Sequence, residues 1–277
     1  GPELKAIFGP EHGARGSAAA GAKVADAKDP ATGIPVYSLF GSKRSPPQEV
    51  LKKLDVMVFD IQDIGVRTYT YLATLIKVME AAAKNKIEVW VLDRPVPIGG
   101  LSIEGPLLRE SFRSFVGPHT LPLRHGLTAG EFAGLVNRER KIGATLKVVR
   151  MQGYTRGDWY GDSGLPWVAP SPNIPTLDTA IVYPGMCLIE GTQLSEGRGT
   201  TRPFENFGAP FIDPHKLFKR IQNDLEKLPG VAFRPHFFQP MFQKYSDKIC
   251  GGLQIHITDR DEFKPLLTTI ALIRAIV

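Results

Sequence analysis

Three apolar runs that stop abruptly in polar or charged residues constrain this chain more than anything else in it. Leu4–Phe8 ends in Gly9-Pro10-Glu11-His12-Gly13, Val56–Ile61 in Gln62-Asp63, and Glu88–Leu92 in Asp93-Arg94-Pro95. Short runs of this kind, bounded by Gly, Pro and polar residues, read as buried strands. Between the second and third lies Thr70–Lys84, where Leu72, Leu75, Ile76 and Met79 recur at helical spacing. Strand, helix and strand in close succession predict parallel βαβ units with right-handed crossovers. The pattern therefore places Glu11-His12, Gln62-Asp63 and Asp93-Arg94 on one edge of one sheet. Open α/β sheets put their chemistry there, outside the carboxyl ends of the strands.

Further elements follow in order. Pro35–Gly41 reads as a strand and Pro46–Leu54 as a short helix. Thr128–Arg140 reads as a helix, with Thr128 as N-cap and Glu131 at the capping-box position, and Leu146–Arg150 as a strand. Trp90 is expected in the core. Gln152–Pro175 is long, aromatic and turn-rich, the mark of a lid or an inter-domain crossing, so the domains are drawn as 1–152 and 153–277. The second half predicts a helix over Leu177–Glu190 interrupted at Pro184-Gly185, and a helix over Pro214–Leu228 with Leu217, Ile221 and Leu225 on one face. Strands follow over Val231–Phe238 and Gly252–Thr258, then a closing helix over Phe263–Val277.

Several function classes are excluded by what the chain lacks. No apolar run approaches the length of a membrane span, and the net charge of +6 is spread among interspersed acids. Neither a membrane span nor a nucleic-acid partner is expected. Cys187 and Cys250 sit in apolar surroundings and read as buried free thiols. The first strand is not followed by Gly-x-Gly-x-x-Gly, no Walker-type Gly-Lys-Ser/Thr occurs, and neither His-Glu-x-x-His nor Gly-x-Ser-x-Gly is present. No cofactor and no metal are expected; His12, His125 and Asp63 compose the one metal alternative. What remains is carboxylates in glycine-bounded turns: Glu11, Asp63, Asp93, Glu104 and Glu196. Cleavage of a glycosidic bond needs an acid for the leaving oxygen, commonly a second carboxylate, and no cofactor. Tyr69, Tyr71, Trp159, Trp167 and Tyr183 offer faces for sugar rings, and Arg67, Arg94, Arg124 and Arg198 can hold an anionic substituent. Asp60 and Asp93 equally read as turn caps or partners of Arg94, and Glu196 with Arg198 as a pair bracing their loop.

The motifs FGPEHG (8–13), VFDIQDIGVRTYTY (58–71), LDRPVPIGG (92–100), IEGP (103–106), RHG (124–126), WVAPSPNIPT (167–176), YPG (183–185) and EGTQLSEGRGTTRPFE (190–205) together resemble the DUF1343 family, the NamZ-type exo-β-N-acetylmuramidases. The resemblance runs from about residue 4 to residue 265. It implies a Rossmann-like, mostly parallel sheet domain followed by a smaller α/β (α+β) domain, with the active cleft between them. It also implies a glycosidase that removes terminal N-acetylmuramic acid from peptidoglycan fragments, muropeptide or disaccharide, in cell-wall turnover. The proposed catalytic glutamate of the family's GPEHG motif falls on Glu11, the carboxylate the strand-end argument also selects. The second group is left among Asp63, Glu104 and Glu196. Asp63 and Glu104 join Glu11 as catalytic candidates, while Glu196 stands with His12, Gln62, Arg67, Tyr69, Arg94, His125, Asn173 and Arg198 as substrate-binding candidates. In this picture Arg198 reaches the lactyl carboxylate from the second domain. The family pattern also implies a secreted or periplasmic protein, with a signal peptide and a further strand-helix unit ahead of the GPEHG strand that this sequence does not include. The stretches 16–24 and 138–141 look short for it. A non-catalytic glycan-binding protein and a metal-dependent hydrolase on the same fold are the rival readings.

Overall fold

Strand β1 (Ile7–Gly9) ends where the chain must double back. A Cβ on Gly9 would lie 2.7 Å from the Ala14 backbone nitrogen, so only glycine admits the turn that follows. β2 (Ala27–Lys28) and β3 (Pro35–Ser38) complete a small sheet in the order β1-β3-β2. β1 and β3 run parallel, with Gly9 opposite Ser38, and β2 pairs antiparallel on the far side of β3. The computed structural model describes Gly1, residues 3–222 and residues 225–276.

After the short helix α1 (Gln48–Leu51) come β4 (Val56–Phe59), helix α2 (Tyr71–Asn85), β5 (Glu88–Leu92), helix α3 (Ala129–Glu139) and β6 (Leu146–Val149). The three strands form an all-parallel sheet in the order β4-β5-β6. Thr128 and Glu131 make the expected capping box at the start of α3. Leu72, Leu75, Ile76 and Met79 are all buried, but so are six further residues of α2, so the helix is enclosed on most sides rather than on one face. In β5 the period of two buries Val89 and Val91 on one face and turns Trp90 to the other. Trp90 is therefore half-buried, not core: its indole N–H donates to Glu88 Oε2 at 2.8 Å and the Lys147 ammonium lies 3.9 Å over its ring.

The single sheet expected from the strand ends is instead two. β1 and β4 are not hydrogen-bonded neighbours; each is the edge of its own three-stranded sheet. The apolar run Val56–Ile61 also leaves its ladder at Phe59, two residues before its polar end. Glu11 and Asp63 thus do not share a sheet edge, and the link between them is made by α2, described below.

Two compact units divide the chain, Gly1–Pro172 and Asn173–Val277. The division falls at the far end of the long turn-rich segment and not at residue 152, because that segment is fastened to the first unit. Gly100 N donates to Arg156 O at 2.9 Å, Tyr160 N to Pro97 O at 3.1 Å, and Arg156 Nη1 to Gly126 O at 2.6 Å. The Tyr71 hydroxyl donates to Pro170 O.

The second unit contains α4 (Leu177–Met186), β7 (Asn206–Ala209), α5 (Pro214–Gln222), β8 (Val231–Phe238), β9 (Cys250–Ile257) and α6 (Pro265–Ile276). Its sheet is antiparallel in the order β7-β9-β8. β7 escapes sequence patterning because Gly208, facing Gly252 across the ladder, leaves it no apolar alternation. Positions 223, 224 and 277 of the expected helices, and the side chain of Leu225, lie outside the described residues. Pro184-Gly185 does not interrupt α4, which continues to Met186 before tightening into a 3₁₀ turn over Cys187–Gly191. The glycine is there for α6: a Cβ on Gly185 would overlap Pro265 O and Thr269 Oγ1.

Gly185→Ala should therefore lower stability by about 1–3 kcal/mol. Gly134→Ala, where α3 has open space around the added carbon, should raise it by roughly 0.5–1 kcal/mol. Thermal melts of the two variants beside the parent check the contrast.

Candidate active site

Pro10 to Gly13 form a β-turn closed by Gly13 N donating to Pro10 O at 2.9 Å. His12 takes the third position with φ of 73°, a left-handed conformation normally left to Gly or Asn. For a non-glycine residue this costs about 1–2 kcal/mol, and the neighbourhood holds it in place. The buried ring bonds Ala18 O through Nδ1 at 2.8 Å, and it meets Tyr71 edge-on with centroids 6.5 Å apart. His12 is thus a structural pin of the loop that follows β1.

That turn presents Glu11, half-buried, with both carboxylate oxygens held. Thr70 Oγ1 donates to Oε2 at 2.7 Å, and Gly21 N donates to Oε1 at 2.9 Å. Thr70 is the residue from which α2 starts, so one hydrogen bond joins the end of β1 to the helix that follows β4. Neither partner was singled out from sequence. Thr70 had a signal, since it opens the helical pattern; Gly21 had none.

Asp63 lies in the same neighbourhood, 6% exposed. Its Oδ1 accepts from Gly65 N at 2.7 Å, and its Oδ2 has no hydrogen-bond partner among the described residues. Burial pushes its pKa up to about 7, against the opposing hydrogen bonds from Gly65 and Ile64. Tyr71 stands between the two carboxylates electrostatically. Burial raises its phenol to about 12, its hydrogen bond with Tyr69 opposes that shift, and the charges of Glu11 and Asp63 add to it. Tyr69 and Tyr71 pack edge to face at 4.8 Å. Glu11, His12, Asp63, Tyr69, Thr70 and Tyr71 therefore form one cluster at the N-terminus of α2.

The other candidates of the first unit are committed to protein partners. Glu104 pairs with the buried Arg124 through Nη1 at 2.9 Å, the two residues also forming a backbone bridge, and Arg124 Nη2 reaches Ile98 O. Arg67 donates from Nη1 to Pro106 O at 3.1 Å and to Leu121 O. Gln62 straps the ends of β4 and β5 together, donating to Asp63 O at 2.6 Å and Pro95 O at 2.9 Å. Arg94 pairs with Asp60 at 2.6 Å on the surface. Asp93 caps α3, accepting from Gly130 N and Thr128 Oγ1, both at 2.8 Å. His125 is buried; desolvation, and then the Arg67 charge, lower its pKa to about 3. Its Nδ1 accepts from Leu127 N at 3.1 Å, so the ring is neutral with its proton on Nε2.

In the second unit Asn173 is buried at the start of the chain segment, and Glu196 and Arg198 lie in the loop before β7. Arg198 reaches Glu190 at 2.8 Å and Glu196 at 3.2 Å. Lys244, missed in the sequence, sends its ammonium to the carbonyls of Ile189, Glu190, Thr192 and Leu194 at 2.9–3.2 Å, and lies 3.5 Å from Glu196. Glu196 therefore lies between two basic side chains, Arg198 and Lys244. Among the described residues no three His, Cys, Asp or Glu side chains gather as metal ligands.

Comparison with known proteins adds a second line of information. Residues 1–178 match the family model described as exo-β-N-acetylmuramidase NamZ, N-terminal, and residues 181–277 its C-terminal counterpart. The peptidoglycan β-N-acetylmuramidase NamZ of Bacillus subtilis strain 168 is 50% identical over 274 residues, covering 99% of this chain. This chain spans 66% of that relative's length. Two crystal structures of DUF1343 family proteins from Bacteroides fragilis are also similar. One is 39% identical with a TM-score of 0.90, covering 99% of this chain and 70% of its own. The other is 32% identical with a TM-score of 0.73, covering 91% and 64%.

The Asp63 environment makes a prediction about stability. Folded Asp63 holds its proton up to about pH 7, whereas an unfolded aspartate releases it near pH 4. Between these values the folded state binds more protons, so stability falls as pH rises from about 4 to about 7. Asp63→Asn removes that slope while keeping an acceptor for Gly65 N. Its advantage over the parent should be near zero at pH 4 and grow to roughly 3–4 kcal/mol by pH 8, read from denaturant unfolding at the two pH values.

Proposed function

The chain belongs to the NamZ family of exo-β-N-acetylmuramidases, and from that premise we propose that it is a glycoside hydrolase releasing terminal N-acetylmuramic acid from peptidoglycan fragments. The observation that carries the reading is Glu11: a carboxylate at a strand end, partly open to solvent, with each oxygen oriented by a separate donor. A glycosidase needs such a group to pass a proton to or from the oxygen of the scissile bond. A carboxyl free to rotate would spend much of its time misaligned; Thr70 and Gly21 remove that freedom before the sugar arrives.

Asp63 supports the same chemistry from behind. Its carboxyl is buried, so in this reading it acts on Tyr71, whose phenol also feels the charge of Glu11, and does not touch the sugar. The Glu104–Arg124 pair holds the neighbouring loops, which makes Glu104 a support of the site in this reading. A muropeptide or disaccharide fragment is the substrate proposed, and a periplasmic or secreted location is proposed with it. No helix among the described residues is long and apolar enough to cross a membrane.

Glu11→Gln should reduce turnover of a chromogenic β-N-acetylmuramide by at least about 100-fold while leaving the thermal melt within a degree or two of the parent. Retained activity in a variant that folds normally would overturn the assignment of Glu11.

A further inference from the structure

Each arginine that the sequence offered for an anionic substituent is already engaged. Arg67 holds carbonyls, Arg94 holds Asp60, Arg124 holds Glu104, and Arg198 holds Glu190 and Glu196. A different set of cations faces open space. A groove of about 580 Å³ in the first unit is lined by residues 42–45 and by Pro47, Glu49 and Lys77. Its three cations outnumber its one carboxylate. Lys43 touches Asp26 only at 3.4 Å, both side chains being largely exposed, and Lys77 meets Glu80 at 2.8 Å at the helix surface. Exposed pairs of this kind hold their partners weakly, so the ammonium groups can exchange them for a ligand. Arg44 is more constrained. Its Nε donates to Gly41 O at 3.1 Å and its guanidinium stacks 4.4 Å over the Phe115 ring. Among the described residues its terminal nitrogens have no hydrogen-bond partner, leaving the flat fork that matches a carboxylate.

Two connections relate this groove to Glu11. The β1–β3 ladder continues one step past the paired strands, with Leu39 N donating to Gly9 O at 2.8 Å, so the chain entering the groove at Ser42 leaves the sheet beside the chain that carries Glu11. Along α2, Lys77 lies about two turns below Thr70, the residue bonded to Glu11, and on the same side of the helix, a separation of about 10 Å. A Lys side chain spans much of that gap. The distance suits one sugar ring plus a short acidic arm. Phe40 packs on Phe115 at 6.1 Å and extends an apolar floor beside the cations.

We propose that the Ser42–Ser45 loop and Lys77 form the subsite that holds a carboxylate of the substrate, and that this subsite selects muramic acid over glucosamine. The inference rests on the muramidase reading above. The carboxylate is that of the lactyl ether of the sugar being released, the acid that muramic acid carries and glucosamine lacks.

The triple variant Lys43→Gln, Arg44→Gln, Lys77→Gln alters two exposed side chains and one that is half-buried. It should raise KM for a chromogenic β-N-acetylmuramide about tenfold or more, with kcat within about twofold. Inhibition by free N-acetylmuramic acid should weaken by the same factor and inhibition by N-acetylglucosamine should not change. Glu49→Gln, which removes the one carboxylate of the groove, should move the muramic acid constant the opposite way. A lactyl methyl ester of N-acetylmuramic acid that loses the preference identifies the lactyl group as source. A variant altered only in its discrimination between disaccharide and longer fragments, or an unchanged ratio of muramic acid to glucosamine inhibition, overturns the subsite. Calorimetric titration of N-acetylmuramic acid into parent and triple variant runs without turnover. Binding lost in the variant therefore supports the groove even if the parent cleaves nothing and the muramidase reading fails; equal binding, or none by the parent, rejects it.

Discussion

The hydrogen bond from Thr70 to Glu11 is the contact on which the site depends. β1 and β4 belong to separate sheets, so no ladder sets the position of one strand end against the other. What sets it is the first turn of α2: Thr70 reaches back to Glu11, Tyr71 closes on His12, and the Tyr71 hydroxyl ties down the backbone at Pro170. A 15-residue helix buried on most of its sides is a rigid platform for such a task. The strained turn at His12 belongs to the same arrangement. A left-handed histidine persists because its ring is bonded to Ala18 and packed on Tyr71, and the turn it makes points Glu11 toward the helix.

Charge is distributed around this platform by a consistent rule. Two carboxylates share a buried setting with a cation: Glu104 with Arg124 in the first unit, and Glu196 with Arg198 and Lys244 in the second. Breaking such a pair leaves a desolvated charge behind, which makes these brackets costly to alter. Among the described residues, Glu11 and Asp63 have no cationic partner of that kind. Glu11 is oriented by neutral donors and Asp63 is desolvated.

Much of this was legible in the chain. The capping box at Thr128, the strands at β5 and β8 and the core positions of α2 follow from local pattern, because each element answers to its own side chains. Glu11 stood out because Gly-Pro ends its strand. What could not be read depends on distant partners. One sheet was expected where there are two, since strand pairing is not written in either strand. Pro184-Gly185 looked like a break, yet serves the close approach of α6, a reason located some eighty residues away. The arginines looked available for a ligand because sequence does not show Asp60, Glu104 or the carbonyls that occupy them. Lys244 and Gly21 carried no local signal at all.

The measurement that bears most directly on the account is release of chromophore from a β-N-acetylmuramide and from the matching β-N-acetylglucosaminide, each with and without EDTA. The account predicts release from the muramide alone, at a rate unchanged by the chelator. Release that EDTA abolishes, or release from the glucosaminide in preference to the muramide, would contradict it.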